Sequence, residues 1–383
     1  MRIAYIFPAL NTIGGADRVI TEKANYFAEK LNYDVFIITA HQKGTPLFYP
    51  LSPKVTHIDL DVDFLSQYGH SFVVRGFMYL KLIRLYKKRL GDKLKELKLD
   101  FAISAISREV DFMYKLKDGS QKLVEAHLAK EFLRNLHEMP AKGFPYNLAG
   151  KYFSWKLEHA IARFRELIVL TKQDSKSWSK VRSSVVIPNA LTFKTNGFST
   201  CKNKTIISVG RLHDQKGYDM MLEAWKIVYA KHQDWTLNIF GKGVLYDQLT
   251  KDMAELNFGD SIRLNEPVHN IADKYAESSF YVMSSRYEGF PMVLLEAMSC
   301  GLPIVSFDCP NGPKELIAEG EDGFVVENAN VPALAEKILY MIEHEEDRIR
   351  MGENARRNVQ RYSQESIMNQ WSSLFEKLKS ERK

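Results

Sequence analysis

The amino-acid sequence predicts an α/β protein built from two doubly wound, parallel sheets. Short apolar runs rich in Ile, Val and Phe alternate with longer segments of helical periodicity, which is typical of parallel sheets covered by helices. The runs form two successive series, and 383 residues are too many for one ordinary core. We therefore expect two domains with a cleft between them.

Each series of apolar runs predicts the strands of one domain. A polar stretch that ends near residue 204 has the composition of a linker, so we place the boundary between domains 1–192 and 193–363. Residues 364–380 repeat apolar side chains at helical spacing and are expected to pack back on the first domain. The predicted strands are residues 3–7, 35–39, 55–60, 101–106, 123–126 and 167–171, and then 205–209, 237–240, 262–264, 280–283 and 304–307.

Composition favours a protein of a reducing compartment. Hydrophobic residues make up 45% of the chain and charged residues 26%, as in soluble globular enzymes. The cysteines, Cys201, Cys300 and Cys309, are odd in number and lack metal-ligand spacing. No apolar run approaches the roughly 18 to 20 residues that span a bilayer. We expect a cytoplasmic protein whose membrane contact, if it has one, is peripheral.

Charge is distributed unevenly along the chain. Residues 1–190 carry 30 Lys and Arg against 19 Asp and Glu, whereas the remainder carries 23 against 28. A predicted helix over residues 79–98 places Arg84, Lys88 and Lys95 on a stripe away from its apolar side. This pattern indicates an anionic membrane surface or a lipid-phosphate acceptor as partner, or else an ordinary solvated face. No nucleic-acid-binding module is recognisable, so nucleic acid is not expected as a partner.

The densest chemical signal lies between residues 284 and 303. Glu288 falls in the loop after a predicted strand, and Glu296 falls one turn inside the helix that begins near Met292. Ligands of open parallel sheets bind beyond the carboxyl ends of the strands, so both carboxylates are expected to face one ligand. Two acceptor oxygens suit the paired hydroxyls of a ribose or hexose. Exposed acids are the ordinary alternative for either residue alone.

The backbone between these carboxylates is a second candidate. N–H groups at the start of a helix lack intrahelical partners and can meet hydroxyl or phosphate oxygens. A proline there sets the entry into the helix. The residues assigned to this contact are Gly289, Phe290, Pro291, Met292 and Val293, with Leu294 following them.

Two cations follow the first predicted strand of the second series. Arg211 comes directly after Gly210, and Lys216 lies five positions further on. A guanidinium fork and a compact ammonium can together neutralise the charge that grows on a leaving nucleoside diphosphate. No metal or other cofactor is then required. Two exposed basic loop residues are the alternative explanation.

Paired glycines, Gly14 and Gly15, follow the first predicted strand. They would let a ligand approach the backbone closely, although a plain strand-to-helix turn explains them equally well. The pattern lacks the third glycine and the downstream acid of the dinucleotide fingerprint. A nicotinamide enzyme is therefore disfavoured.

Two polar sites follow strands of the first series. His127 comes directly after the fifth predicted strand, where an imidazole can donate to a sugar oxygen. Asp59, Asp61 and Asp63 alternate at the end of the third strand and would share one face, as in a D-x-D metal site. We favour no metal there, because basic residues of the second half already supply cations for a leaving group.

Taken together, these motifs resemble the retaining GT-B glycosyltransferases of family 4. The resemblance spans nearly the whole chain in the expected order, and its second half is the more specific. It implies two Rossmann-like domains, of which the C-terminal one holds a nucleotide-sugar and the N-terminal one the acceptor. It rests on residues 14–18, 210–211, 216–217, 288–303, 310–315 and 323–325.

The resemblance also implies roles for the candidate residues of the second half. Glu296 would bind the ribose hydroxyls, and Arg211 and Lys216 the diphosphate. Glu288 and the neighbouring N–H groups would bind the donor sugar or phosphate. The loop after residue 264, around Val268, is expected to contact the base.

For the first half, the resemblance places His127 beside the donor sugar. Family members often carry Glu directly before this histidine, whereas Ala126 intervenes here, so either Glu125 or His127 could face the donor. With no protein nucleophile in the pattern, the resemblance implies a front-face substitution in which the leaving phosphate assists the acceptor hydroxyl.

The expected reaction is transfer of a hexose or N-acetylhexosamine, with UDP the favoured nucleotide, to a saccharide or lipid-linked acceptor in cell-surface glycan biosynthesis. Two rival hypotheses stay open. A nucleotide-sugar epimerase of the same architecture would isomerise the donor without an acceptor. A non-catalytic carbohydrate-binding protein would transfer nothing.

Overall fold

The computed structural model describes residues 1–11, 15–139 and 143–381. The chain divides into two compact units, Met1–Ile187 with Met368–Lys383, and Pro188–Ile367. Each unit is built on one parallel sheet with helices in its connections. The fold class predicted from the sequence is thereby confirmed. Of the helices in the described ranges, none is long and apolar enough to cross a membrane.

The sheet of the first unit has seven strands in the order β3-β2-β1-β4-β5-β6-β7. All of its pairings are parallel, and Ile3 of β1 lies opposite Val35 on one side and Phe101 on the other. Residues in the middle of β1 and β4 are fully buried because both faces of the sheet are covered there. The strands are β1 Arg2–Phe7, β2 Asp34–Thr39, β3 Val55–Asp59, β4 Phe101–Ser104, β5 Gln121–Glu125, β6 Glu166–Val169 and β7 Ser184–Val186.

The sheet of the second unit has six parallel strands in the order β10-β9-β8-β11-β12-β13. In both sheets the strand order reverses direction next to the first strand of the unit, between β1 and β4 and between β8 and β11. Ligands of doubly wound sheets bind at such switch points. The strands are β8 Thr205–Val209, β9 Thr236–Phe240, β10 Ile262–Asn265, β11 Phe280–Met283, β12 Ile304–Phe307 and β13 Gly323–Val326.

Twelve α-helices, together with short 3-10 turns, connect the strands that the structure describes. The last helix contributes to the first unit from Met368 onward, and its Phe375 ring stacks on Phe101 with ring centroids 4.8 Å apart. The helices are α1 Gly15–Glu29, α2 Phe72–Leu97, α3 Phe144–Ile161, α4 Lys172–Ser177, α5 Tyr218–Tyr229, α6 Tyr246–Leu256, α7 Ile271–Ala276, α8 Met292–Ser299, α9 Pro313–Leu316, α10 Val331–Glu343, α11 Glu345–Asn358 and α12 Gln364–Ser380.

Two strands and one helix end differ from the sequence prediction. Neither β7 nor β13 was predicted as a strand. A Cβ on Gly323, the first residue of β13, would stand 2.3 Å from the Ile304 carbonyl oxygen, so close strand packing rather than apolar content selects the residue. Helix α2 begins at Phe72, seven residues before the predicted start.

Candidate active site

Two loops of the second unit meet at its switch point: the loop after β8 and the loop after β11. The Ser284 hydroxyl donates to the Lys216 carbonyl (2.9 Å), and the Arg286 N–H donates to the Gln215 carbonyl (2.8 Å). The Gln215 amide donates in return to the Tyr287 carbonyl at 3.0 Å. These bonds hold the two loops in one register.

The close approach of the loops depends on Gly217. Its φ is +60°, in the left-handed region, and an added Cβ would stand 2.2 Å from the Ser284 carbonyl oxygen. Any side chain here would push the two loops apart. The glycine therefore positions Lys216, its neighbour in the chain, against the loop after β11.

Lys216 and Glu288 form an ion pair across these loops. Lys216 Nζ donates to Glu288 Oε1 at 2.7 Å, and the Ser285 hydroxyl donates to the same oxygen at 2.6 Å. The Glu288 N–H donates to the Pro310 carbonyl at 3.1 Å. The exposed fractions of the two side chains are 14% for Lys216 and 8% for Glu288, so Glu288 is not a solvated loop acid. Within the described residues, no group donates to Glu288 Oε2.

Arg211 lies in the same loop as Lys216, directly after Gly210. The Gly210 N–H donates to the Phe240 carbonyl at 3.0 Å, which ties the start of the loop to β9. The Arg211 side chain is exposed, and no carboxylate in the described part of the chain pairs with it. Its guanidinium is therefore available to an anion in solution.

Glu296 is buried in α8, and the sequence missed its partner. The Tyr275 hydroxyl, fully buried at the end of α7, donates to Glu296 Oε2 at 3.5 Å. Burial, and next the charge of Glu296, raises the pKa of Tyr275 well above its usual value, so the phenol keeps its proton and acts as the donor. Nothing in the spacing of these residues, 21 positions apart, indicates the contact.

Two residues of the predicted N–H cluster cannot donate a hydrogen bond to a ligand. Pro291 has no N–H, and the Leu294 N–H donates to the Pro291 carbonyl at 3.0 Å. The side chain of Phe290 is buried against the Tyr362 ring, with centroids 6.0 Å apart, so only its backbone can reach a ligand. In the described ranges, no group accepts from the N–H groups of Gly289, Phe290, Met292 and Val293.

The remaining predicted contacts are less enclosed. Val268 is exposed in the loop after β10. Gly15 is the exposed first residue of α1, where an added Cβ would meet no atom within 4 Å. Gly14 lies outside the described residues. These positions neither support nor contradict a ligand contact.

His127 lies two residues after the end of β5, in the first unit. Its Nε2 lies 3.6 Å from Glu125 Oε1, and the same oxygen is paired with the ammonium of Lys23. Burial lowers the pKa of His127; the nearby Glu125 opposes this and Lys23 reinforces it. The imidazole is therefore held in its neutral form. Glu125 and His127 were the two alternatives for facing a donor. One carboxylate oxygen of Glu125 is already paired with Lys23.

The three aspartates after β3 do not share one strand face, so that interpretation is wrong. The strand ends at Asp59, whose Oδ2 accepts from the Gln42 N–H at 2.9 Å. Asp61 has a positive φ, and its carboxylate lies 3.2 Å from His41 Nδ1. The turn redirects Asp61 and Asp63 toward basic neighbours. Among the described residues, no group of His, Cys, Asp or Glu is arranged to hold a metal ion.

Comparison with known proteins gives the class of the chain. The profile of the family described as "Glycosyl transferases group 1" matches residues 193–358, a range that contains the whole candidate site of the second unit. A mutant of TarM from S. aureus, solved in complex with Fondaparinux, alpha-GlcNAc-glycerol and UDP, superposes with a TM-score of 0.74 over 98% of this chain and 99% of that one, at 16% identity. That likeness shows the GT-B fold.

Two relatives match along their full length. An "Uncharacterized glycosyltransferase" of Haemophilus influenzae is 28% identical over 98% of this chain and 99% of its own. "Amylovoran biosynthesis glycosyltransferase AmsD" of Erwinia amylovora is 27% identical over the same shares of both chains. The fold and these matches define a glycosyltransferase. The match to the glycosyl transferases of group 1 covers residues 193–358, somewhat less than half of the chain.

Proposed function

We propose that this glycosyltransferase is a retaining, metal-independent enzyme that transfers a hexose or N-acetylhexosamine from a UDP-sugar. Its acceptor is a saccharide or a lipid-linked glycan of cell-surface polysaccharide biosynthesis. The name of the Erwinia amylovora relative, which refers to amylovoran biosynthesis, supports the product class. The UDP in the TarM complex supports the nucleotide.

The observation that carries the proposal is the asymmetry of the Glu288 carboxylate. Lys216 and Ser285 both donate to Oε1, which fixes the carboxylate and leaves Oε2 for a ligand hydroxyl. An ammonium has three N–H donors, so Lys216 can keep Glu288 and still reach phosphate oxygens. One pair thus positions a diphosphate and a sugar side by side.

The neighbouring groups extend this site. The exposed guanidinium of Arg211 adds a second positive charge for a leaving diphosphate. The N–H groups that begin α8 suit phosphate or sugar oxygens. Glu296, held by Tyr275 through Oε2, suits paired ribose hydroxyls. His127, neutral and at the end of β5, would serve a donor-sugar hydroxyl.

A thermal-shift experiment tests the nucleotide. We expect UDP to raise the melting temperature more than GDP, ADP or dTDP, since a ligand at 100 times its Kd stabilises the folded state by about 2.7 kcal/mol. The same screen without divalent metal, in the presence of a chelator, tests metal independence. A rise in melting temperature with a nucleotide of another base alone would contradict the UDP assignment. A rise that requires divalent metal would contradict the proposal that Arg211 and Lys216 replace a metal ion.

Product analysis tests the reaction. Donor UDP-sugar and an acceptor glycan should yield a glycoside with the anomeric configuration of the donor, read by the one-bond and vicinal couplings in the NMR spectrum. An isomerised donor formed without acceptor would instead support the epimerase. Binding without any turnover, across a panel of acceptors, would support the non-catalytic alternative.

We further propose that the first unit rests on an anionic membrane through the N-terminal half of α2. Val73 and Phe77 are 66% and 72% exposed there, although large apolar side chains are usually covered. Further along the same helix, its residues from Arg84 to Lys95 border a cavity of about 450 Å³. Six cations line this cavity together with Asp92 and Asp118, namely Arg84, Lys87, Lys88, Lys95, Lys115 and Lys117. Apolar insertion beside a basic surface fits lipid headgroups of negative charge.

Vesicle sedimentation tests this surface. The protein should bind vesicles that contain phosphatidylglycerol, and neither pure phosphatidylcholine vesicles nor free inorganic phosphate should replace them. Phe77→Asp should weaken binding, whereas Val244→Asp, at an exposed apolar position of the second unit, should leave it unchanged. Equal binding to neutral vesicles, or loss with both variants, would contradict the proposal.

A further inference from the structure

The first unit encloses a charged cluster at the end of β5 that the sequence did not indicate. Lys23 of α1 and Glu125 of β5 form an ion pair whose side chains are only 3% and 1% exposed. The Lys23 ammonium also lies over two rings, 4.3 Å from the centroid of Trp371 and 5.6 Å from that of Tyr5. Two helices and two strands therefore converge on one buried charge pair.

Polar atoms around this pair are left without partners. In the part of the chain that the structure describes, neither nitrogen of His127 has a hydrogen-bond partner, nor do Glu125 Oε2, the Tyr5 hydroxyl or Trp371 Nε1. Buried polar atoms are nearly always paired, so such a concentration calls for an explanation. Unpaired atoms at the carboxyl end of a strand are where a ligand of a doubly wound unit would be found.

Stability alone does not account for the pair. Removing two charges from water costs several kcal/mol per ion, and apolar side chains of similar volume often stabilise a core equally well. The geometry offers another reason. Glu125 Oε1 lies 3.6 Å from His127 Nε2, and a carboxylate so close would by itself draw a proton onto the imidazole. The Lys23 ammonium on the same oxygen cancels that attraction.

We propose that Lys23 is a positioning residue of the His127 site: by pairing with Glu125, it keeps the buried imidazole neutral, so that its nitrogens, which lack partners among the described residues, can serve a sugar hydroxyl. A neutral imidazole offers one donor and one acceptor, whereas an imidazolium offers donors only. A hydroxyl group needs both. Among the described residues, the charged groups that face His127 are Glu125 at the end of β5 and Lys23 on α1, and Tyr5 on β1 and Trp371 on α12 close the cluster.

The inference rests on the proposed function only for the identity of the ligand, and an NMR titration tests it without any substrate. The histidine resonance lost in His127→Gln identifies His127. In Lys23→Met the pKa of His127 should rise by about one pH unit or more, the effect of an uncompensated carboxylate within 4 to 6 Å. In Glu125→Gln, where Lys23 is unopposed, it should fall. The double variant should return toward the wild-type value.

The two single variants shift the pKa in opposite directions, so the proposal stays testable if one of them does not fold. An unchanged pKa of His127 in either folded single variant would overturn it, since a structural role would alter stability alone. In the activity assay, Lys23→Met should move the acidic limb of the kcat/KM profile to higher pH, with activity recovered above it. Full activity of His127→Gln would contradict the proposed function, whereas the titration would still test the effect of Lys23 on the pKa of His127.

Discussion

Both units contain a Lys–Glu ion pair, and the two pairs differ in access. Lys216 and Glu288 lie on loops with side chains 14% and 8% exposed, and the Ser285 hydroxyl donates to Glu288. Lys23 and Glu125 are enclosed between a helix and a strand, with aromatic rings around the ammonium. Ion pairs of the same two residue types therefore lie in two different environments.

The difference shows how access decides what an ion pair can do. At the second unit's switch point, water and ligands can reach the pair, so its charges can be shared with a diphosphate and a hydroxyl. In the first unit the pair is sealed, so its effect reaches a ligand only through the neighbouring His127. In the proposed function, one pair contacts substrate, and the other sets the charge state of a residue that does.

The largest expected effect is the loss of stability when the buried Lys23–Glu125 pair is broken. Lys23→Met should lower the free energy of unfolding of the first unit by about 3 to 5 kcal/mol, because it leaves a buried carboxylate without its partner. Denaturant unfolding, followed by tryptophan fluorescence, measures this loss. The Lys23→Met/Glu125→Gln double variant should recover most of it. A loss that is equal in the single and double variants would show that shape, not charge, matters at this site.

Breaking the Lys216–Glu288 pair should mainly lower the rate of catalysis. Lys216→Ala should reduce the rate of transfer about 10²-fold to 10³-fold, the usual cost of one electrostatic contact to developing charge. Steady-state kinetics with saturating donor measure it. Lys251→Ala, an exposed lysine of α6 in the same unit, is the matched control and should retain full activity. Similar rates for both variants would remove Lys216 from the site.

A smaller effect is expected where a neutral group supports the open pair. Ser285→Ala removes one of the two donors to Glu288 Oε1 and should lower kcat/KM about tenfold, in keeping with a hydrogen bond to a charged group. Ser183→Ala is the control, because that hydroxyl also donates to a carboxylate, Glu166, but at the surface of the first unit. A change smaller than twofold in Ser285→Ala would show that Lys216 alone fixes Glu288.

The smallest effect concerns pH and stability. The pKa of His127 is lower in the folded chain than the usual value near 6.5, so the unfolded chain binds more protons between these two values. The free energy of unfolding should therefore decrease as the pH falls through about 6.5 toward the folded pKa. Urea unfolding at pH 7.5 and 5.5 measures this. His127→Gln should show a weaker dependence, and an identical slope would argue against a buried neutral imidazole.

Sequence patterns predicted elements best where burial is continuous. The strands at residues 205–209, 280–283 and 304–307 agree with the structure because both sheet faces are covered and the runs are mostly apolar. Prediction failed for β13, whose first residue is selected by contact with Ile304. It also failed for the start of α2, because Val73 and Phe77 face solvent and break the expected amphipathic pattern.

Prediction of the candidate site from the sequence has the same limit. The residue types and their loop positions singled out Lys216 and Glu288, whose chemistry is readable from glycine and proline context alone. The sequence indicated neither Tyr275 nor Lys23. A lysine within an amphipathic helix is ordinarily exposed, and only the packing of α1 against β5 and α12 encloses this one.

The sequence by itself determined the class of fold, the order of the strands along the chain and the chemical groups at the strand ends. Only the tertiary structure decided which charges meet. Lys216 lies 72 residues from Glu288, and Lys23 lies 102 residues from Glu125. Such pairings depend on strand order and helix placement, which bring distant segments together. Hydrophobic periodicity records which face of an element is buried, but not the element that covers it.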